Sequence, residues 1–281
     1  MNSTARTACP PIGLIIIGDE ILSGKRQDGH FAKVRELLAA RGLGLSWVRY
    51  LGDDRALCEA ALRESFATDH IVFSCGGIGA TPDDHTRQSA AAALGVPLEL
   101  HPEAERLIAE RTREWYAKDP AAAGSPDMST PENQQRLNMG RFPARANIIP
   151  NPYNKIPGFN VGHHWFVPGF PVMAWPMIEW VLDTHYKHFH NQVQLGEKSF
   201  LVFGVPESRA TPLMEAIEAE FAGIKVFSLP SVGNDKRARH IELGVKGPVD
   251  ALPAAYARLL EGTLAICASL GGEIEEAPKR N

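Results

Sequence analysis

The stretch Ile71-Val72-Phe73-Ser74-Cys75-Gly76-Gly77-Ile78-Gly79-Ala80-Thr81-Pro82-Asp83-Asp84-His85-Thr86 constrains this chain more than any other. Its first residues are apolar or small without polar alternation, as a parallel strand covered on both faces requires. Gly76, Gly77 and Gly79 follow at once, where bare backbone bends sharply and lets a ligand approach closely. Asp83, Asp84 and Thr86 then lead into an alanine-rich helix. Backbone N–H groups in a glycine turn and at a helix start form an anion site. Carboxylates beside such a site hold Mg²⁺ or a similar hard cation against a phosphate. The plainer reading of the same residues is a tight turn with an Asp cap.

The preceding chain supplies the rest of a β-α-β-α-β pattern. Ile12–Ile17 reads as a first central strand with Gly18-Asp19-Glu20 as its exit loop. Asp28 is placed to cap a helix whose face is Phe31, Val34, Leu37, Leu38 and Arg41, ended by Gly42 and Gly44. Leu45–Tyr50 is the next strand, and Gly52-Asp53-Asp54 starts a helix whose 3.6 period falls on Leu57, Ala61, Leu62 and Phe66. Strands alternating with such helices predict a parallel sheet covered on both faces. Its ligand is expected at the carboxyl ends of the strands, where Gly18–Glu20 and Gly76–Asp84 both emerge.

Pro102 opens a helix to about Lys118, with Glu103 and Glu105 in its first turn. Ala121–Pro131 is a loop or the approach to Pro131-Glu132-Asn133-Gln134-Gln135. From Pro143 to Pro176 recurrent prolines predict short extended pieces, Ala146–Ile149, Phe159–Val161 and Trp165–Val167. Val167-Pro168-Gly169-Phe170-Pro171 is a second strand-and-turn, either a ligand loop or a rigid structural turn. It leads into an aromatic helix, Val172–Phe189. Beyond it Phe200–Val205, a helix Ser208–Phe221, strands Lys225–Leu229 and His240–Val245 and a helix Ala251–Leu270 describe a small α+β domain. The expected boundaries are a flexible N-terminus over 1–11, a first domain over 12–192, the small domain over 193–270 and a polar tail over 271–281.

A chain of 281 residues is one or two domains with ample core. The formal charge of -4 gives no electrostatic reason to expect nucleic acid or an anionic membrane. Lys236, Arg237, Arg239 and His240 read as a solvated hairpin, since no aromatic platform accompanies them. Cys9, Cys58, Cys75 and Cys267 are far apart with no C-x-x-C pair, which predicts reduced, buried thiols. Residues 1–11 contain no apolar signal core, and no apolar run approaches the roughly 20 residues of a membrane span. The expected setting is cytoplasmic.

The candidate metal and phosphate set is therefore Asp83 and Asp84 with the Gly76–Gly79 backbone, joined by Asp19 or Glu20. A cation bridging two phosphates serves hydrolysis or formation of a pyrophosphate bond. Lys25, Arg26 and Arg87 lie near these turns as phosphate-balancing or plain surface cations. His85 is either a base or phosphate contact or a solvated helix start. His163 and His164, adjacent in a strand, point to opposite faces and suit no shared metal. Ser74 has no paired His and Asp, which disfavours a covalent nucleophile. Trp165, Trp175 and Trp180 read as core or subunit interface before they read as stacking platforms.

Four pieces together resemble the competence/damage-inducible protein A family, in a short form without its C-terminal deamidase domain. They are Gly18-Asp19-Glu20-Ile21-Leu22-Ser23-Gly24, Gly76 to Thr86, Pro131-Glu132-Asn133-Gln134 and Pro168-Gly169-Phe170-Pro171-Val172-Met173. The resemblance implies a three-layer α/β/α molybdopterin-binding-like domain with a mostly parallel sheet, followed by a small α+β domain of KH-like form. It also implies a site in which Gly76, Gly77, Ile78, Gly79, Thr86, Asn133, Pro168 and Gly169 bind ligand phosphate. Asp83 and Asp84 would be catalytic, and would bind metal with Glu20. The implied cofactor is a divalent cation (Mg²⁺, or Mn²⁺ or Co²⁺), and the implied ligand a phosphorylated nucleotide or pterin. A homo-oligomer is expected. Two positions depart from the family: Asp28-Gly29-His30 stands where Asp-Thr-Asn is frequent, and Val172 stands where a Glu precedes the Met. Gly233-Asn234-Asp235-Lys236 is not the Gly-x-x-Gly clamp of RNA-binding KH domains.

Three functions fit this reading. The first is a metal-dependent dinucleotide pyrophosphatase of ADP-ribose or FAD type. The second is molybdopterin binding or adenylylation in molybdenum cofactor biosynthesis. The third is a non-catalytic nucleotide-binding protein.

Overall fold

A computed structural model describes residues 9–118, 124–192, 194–233 and 238–278. The chain divides into two units, one ending at His190 and one starting at Asn191.

The first unit runs β1 (Ile12–Ile17), α1 (Asp19–Leu22), α2 (His30–Ala39), β2 (Trp47–Leu51), α3 (Arg55–Phe66), β3 (Ile71–Cys75) and α4 (Thr86–Leu94). It continues with β4 (Leu98–Leu100), α5 (Pro102–Lys118), α6 (Pro131–Leu137), β5 (Arg141–Pro143), β6 (Asn147–Ile149), β7 (Gly158–Val161), β8 (His164–Val167) and α7 (Pro171–His185). The main sheet has the order β2-β1-β3-β8-β7-β6. The pairs β1–β2, β1–β3 and β3–β8 are parallel, while β7 and β6 join antiparallel. β4 and β5 form a separate two-stranded ribbon.

Both faces of the sheet are covered, and β1 shows why its sequence needs no polar alternation. Ile12, Leu14 and Ile16 pack with Val34, Leu37 and Leu38 of α2 and Ala174, Met177 and Ile178 of α7. Ile15 and Ile17 face the other way, toward Cys58 and Leu62 of α3, Ala90 of α4 and Ala104 of α5. Period-two alternation thus sorts an unbroken apolar run between two cores, giving the expected α/β/α layers with a mostly parallel sheet. The second core is built on a ladder of rings. Phe142, Phe159 and Phe166 stack with centroids 4.8 Å and 4.4 Å apart.

Three expectations are corrected here. Leu57 is 59 % exposed, and the buried face of α3 is Cys58, Ala61, Leu62 and Ser65. The Asp54 side chain accepts from the Leu57 N–H at 2.8 Å, which starts the helix at Arg55 and rotates Leu57 outward. The aromatic helix stops at His185, short of Phe189, because Tyr186 leaves the helical region. Its hydroxyl accepts from the Trp165 indole at 2.8 Å and lies 3.0 Å from His163 Nδ1.

The second unit is β9 (Leu195–Phe203), α8 (Glu207–Glu220), β10 (Lys225–Ser231), β11 (His240–Pro248), α9 (Leu252–Leu270) and β12 (Glu273–Glu276), with antiparallel order β10-β11-β9-β12. Ala210 and Ile217 of α8 and Leu252, Ala255 and Leu259 of α9 pack on Phe200, Val202, Leu243 and Val245 of its sheet. β12 is the third correction, since residues 271–281 are expected as a polar tail. Gly271, at φ 72°, ends α9 in the left-handed conformation, and Ile274 then packs on this core beside Val202. Lys236 and Arg237 of the basic cluster lie outside the described residues, as do residues 1–8 of the N-terminal segment.

The four cysteines are free, with Cys58, Cys75 and Cys267 buried. Burial pushes the Cys58 thiol up to about 11. Among the described residues no helix is long and apolar enough to cross a membrane.

The ring ladder yields a direct test. Phe159→Ala should lower stability by about 3–5 kcal/mol, the range for deleting a fully buried aromatic ring, read from the denaturant midpoint at unchanged slope.

Candidate functional site

The sheet order reverses between β1 and β3. From β1 the chain moves outward to β2, then returns to the other side of β1 to form β3. Open α/β sheets leave a crevice at the carboxyl ends of strands at such a point. A cleft of about 450 Å³ occupies that crevice, reached by Ile17 and Gly18 from β1, Gly76 to Gly79 from β3 and Pro168 and Gly169 from β8.

The glycines are required by conformation and by packing. Gly76 has φ 108°, and a Cβ there would lie 2.2 Å from the Ile17 carbonyl oxygen. Gly77 has φ 68°, and its Cβ would lie 2.1 Å from Thr86 Oγ1. The Gly76 N–H donates to Val167 O at 3.0 Å, tying the end of β3 to that of β8. The Thr86 N–H donates to Gly77 O, and the Thr86 hydroxyl to Gly76 O, both at 3.0 Å. Thr86 is thereby buried and committed to closing the turn; it is not on the cleft wall, and the expected phosphate contact from it is withdrawn.

Asp83 and Asp84 both reach the cleft but differ in employment. The Asp84 carboxylate lies against Gly79 and accepts from the Thr81 N–H at 2.9 Å and from the Thr81 hydroxyl, so one oxygen closes the turn. Asp83 is exposed, and the nearby Thr81 hydroxyl holds its carboxyl below the usual range, fully ionised at neutral pH. Glu20 folds back over Gly18 and joins the rim, as does Asp53 from the exit of β2, a residue the sequence reading did not select. Asp19 is drawn aside: its N–H donates to Asp53 Oδ2 at 2.8 Å, and its own carboxylate accepts from the Asp53 N–H at 3.2 Å. Burial, with the charges of Asp19, Glu20 and Asp83, raises the Asp53 carboxyl above its ordinary value.

Arg87 is a strut in place of a phosphate partner. Buried beneath the turn, its guanidinium donates to the carbonyls of Gly79 and Asn138, and burial pushes it down to about 10. Arg26 does line the cleft, 5.9 Å over the Phe170 ring, whereas Lys25 and His85 do not. Asn133 is corrected too. It is fully buried away from the cleft, donating to Ser125 O and Asp127 O at 2.7 and 2.8 Å and accepting from Arg136.

The two positions that depart from the family sit behind or beside the wall. Asp28 accepts from the His30 and Phe31 N–H groups and from the Tyr50 hydroxyl, so it caps α2. His30, 4 % exposed, places Nε2 2.9 Å from the Gly169 carbonyl and so fixes the proline turn from behind. Val172 is exposed and off the wall. The apolar side of the cleft is Met139, Ile156, Pro157, Phe170 and Met173. Ser74 is sealed in the core, and Trp165, Trp175 and Trp180 pack against the α2/α7 core and not on the cleft. His164 is bonded to Ser65 at 2.9 Å, and burial pushes it down to about 3, far from His163's contact with Tyr186 in direction and role.

Glu20, Asp53 and Asp83 present oxygen donors on one rim, the donor type a hard cation takes. Among the described residues no three His, Cys, Asp or Glu side chains stand together so that they could hold a metal ion. A cation at this rim would therefore have to draw most of its oxygens from phosphate and water, as Mg²⁺ commonly does beside nucleotides.

Residues 13–188 match the family described as probable molybdopterin binding domain. A CinA-like protein of Anaeromyxobacter sp. (strain Fw109-5) is 32% identical over 259 residues, which is 84% of this chain and 58% of that protein. A CinA-like protein of Syntrophotalea carbinolica is 29% identical over 225 residues, 75% of this chain and 50% of that protein. The chain thus spans between half and three fifths of the length of these curated relatives. The crystal structure of the protein CinA, of unknown function, from Thermoplasma acidophilum superposes with a TM-score of 0.51 at 25% identity, covering 62% of this chain and 97% of that one.

Two outcomes follow from the site geometry. Gly77→Ala should cost about 1–3 kcal/mol, since it adds backbone strain at positive φ and a clash with Thr86, read by denaturant unfolding. Asp53 binds its proton more tightly folded than unfolded, so stability falls as pH rises from the unfolded carboxylate value through the raised one, and the cost is complete above both. Asp53→Asn should therefore raise the Tm at pH 7 and lose that gain at about pH 2.5, where the carboxyl is protonated in both states; equal gains at both pH values would contradict this origin.

Proposed function

We propose, from the premise that this chain belongs to the family of probable molybdopterin-binding domains, that its cleft binds a phosphorylated nucleotide or pterin and splits a dinucleotide pyrophosphate with a divalent cation. The observation that carries this reading is the meeting of a bare-backbone turn, Gly76–Gly79, with the carboxylates Glu20, Asp53 and Asp83 in one crevice. The N–H groups of Gly77 to Gly79 are the ones to bind phosphate oxygens, since that of Gly76 is given to Val167 O, and Arg26 offsets further negative charge. Met139, Ile156, Pro157 and Phe170 supply an apolar wall for a flat ring, and Met173 adds an adaptable thioether surface. Glu20 and Asp83 are the residues to hold Mg²⁺, Mn²⁺ or Co²⁺, which when bound supplies Lewis-acid polarisation of phosphorus.

In the hydrolysis, the water oxygen forms a bond to one phosphorus as the bond from that phosphorus to the bridging oxygen breaks. The bridging oxygen leaves with the other phosphate as a monoester, and the water's proton passes to a carboxylate. Asp53 suits that last role because burial, with its acidic neighbours, raises its proton affinity. The family match favours a second reading, in which the same cleft holds molybdopterin or transfers adenylate to it.

The test is cleavage of ADP-ribose, FAD, NAD⁺ and ATP with Mg²⁺, Mn²⁺ or Co²⁺. Turnover of one dinucleotide that falls about 100-fold, nearly 3 kcal/mol of barrier, in Asp83→Asn is the expected result. Asp83 is preferred to Asp84 as the probe because Asp84 also closes the turn. No cleavage with any metal would overturn the pyrophosphatase, and tight pterin binding in its place would establish the second reading.

A further inference from the structure

The cleft does not end at its apolar wall. Met139, Asn154 and Ile156 present one side to it and the other to a second cavity of about 280 Å³ between α5 and α6. The two cavities are therefore neighbours that share these three residues as a common wall. Their charge is opposite: the main cleft carries Glu20, Asp53, Asp83 and Asp84 against one arginine, whereas the extension carries Arg111 and Arg136 and no carboxylate.

The extension is built, not incidental. The Arg136 guanidinium lies 4.7 Å over the Trp115 ring and 5.8 Å over that of Tyr116, and donates to Asn133 Oδ1 at 2.9 Å. Asn133 is itself buried and fixed by two carbonyls, so this arginine is held in one orientation. A guanidinium stacked and hydrogen-bonded on one side keeps its remaining donors aimed, ready for an oxygen-rich group. Arg111, one turn before Trp115 on α5, has no hydrogen-bond or ion-pair partner among the described residues. The acids that flank it on the helix, Glu110 and Glu114, are both taken by Lys155 at 2.5 Å.

We propose that this second cavity is the subsite for the half of a dinucleotide that lies beyond its pyrophosphate, with Arg111 and Arg136 binding the ribose oxygens or anionic group of that half. The inference rests on the nucleotide reading of the main cleft and narrows it: the preferred ligand is a dinucleotide, because a mononucleotide bound at the glycine turn has nothing to reach the arginines. Asn133, withdrawn above as a direct phosphate contact, acts here as the positioning residue of Arg136.

The experiment compares Kd values for ADP-ribose, FAD and AMP by titration calorimetry with the full chain, its Arg111→Gln variant and its Arg111→Glu variant. Arg111 has no partner to lose, so both variants should melt like the parent. The parent should bind a dinucleotide at least ~10-fold more tightly than AMP. Arg111→Gln should remove most of that preference and Arg111→Glu all of it, with AMP unchanged; an interaction with a charged donor is large enough for such a change. A preference untouched by both variants, or AMP weakened as much as the dinucleotide, overturns the subsite while leaving the nucleotide cleft standing. A parent that binds neither class overturns the nucleotide cleft, and the subsite with it.

Discussion

Everything at this site depends on how closely two strand ends approach each other. The Gly76 backbone sits so near the Ile17 carbonyl that no side chain fits between them. That approach places the exits of β1 and β3 side by side, and the Gly76 hydrogen bond to Val167 adds β8. Three loops that are far apart in sequence then share one crevice. Were the β3 exit to carry a Cβ, the turn would have to lift away from the sheet, and the carboxylate rim would separate from the backbone donors.

The turn also shows how a motif divides its residues between building and binding. Thr86, Asp84 and Arg87 all hold the turn in shape, through its carbonyls, its N–H groups and its underside. Asp83, Glu20 and Asp53 are left facing the ligand space. His30 does for the proline turn what Thr86 does for the glycine turn, bracing a carbonyl from the buried side. His30 is thus held by one backbone contact through Nε2, while its Nδ1 is buried without a partner.

The parallel sheet and its ligand edge were legible because unbroken apolar runs followed by glycine leave few alternatives: β1, β3 and the glycine turn stand where the sequence places them. What was not legible has physical causes. Leu57 reads as inward until the Asp54 cap sets the phase of α3. Asp53 is one acid among many until the β1–β2 pairing brings its loop to the rim. Met139 sits in a single 3-10 turn and Asn154 and Ile156 in irregular chain, so only the tertiary fold reveals that they divide two cavities. β12 hides in an acidic segment because a single Ile274 carries its packing. Thr86 and Asn133 were legible as important and misread as to use, since a residue that shapes a site and one that touches the ligand look alike in a motif.

The buried Arg87 has an electrostatic consequence of its own. A guanidinium enclosed by protein, with two of its nitrogens donating to carbonyls and its Nε left without a partner, is out of reach of a counter-ion from solution, and burial brings it down only to about 10. Screening by salt acts weakly on enclosed charge. The floor of the glycine turn therefore carries a standing positive potential that neither ionic strength nor physiological pH can switch off. The rim above it is acidic and open to solvent, so its field is the part that surroundings can modulate. On the proposed function, an incoming phosphate would meet a fixed attraction from below and an adjustable repulsion from the side, and a cation on the rim would convert the second into agreement with the first.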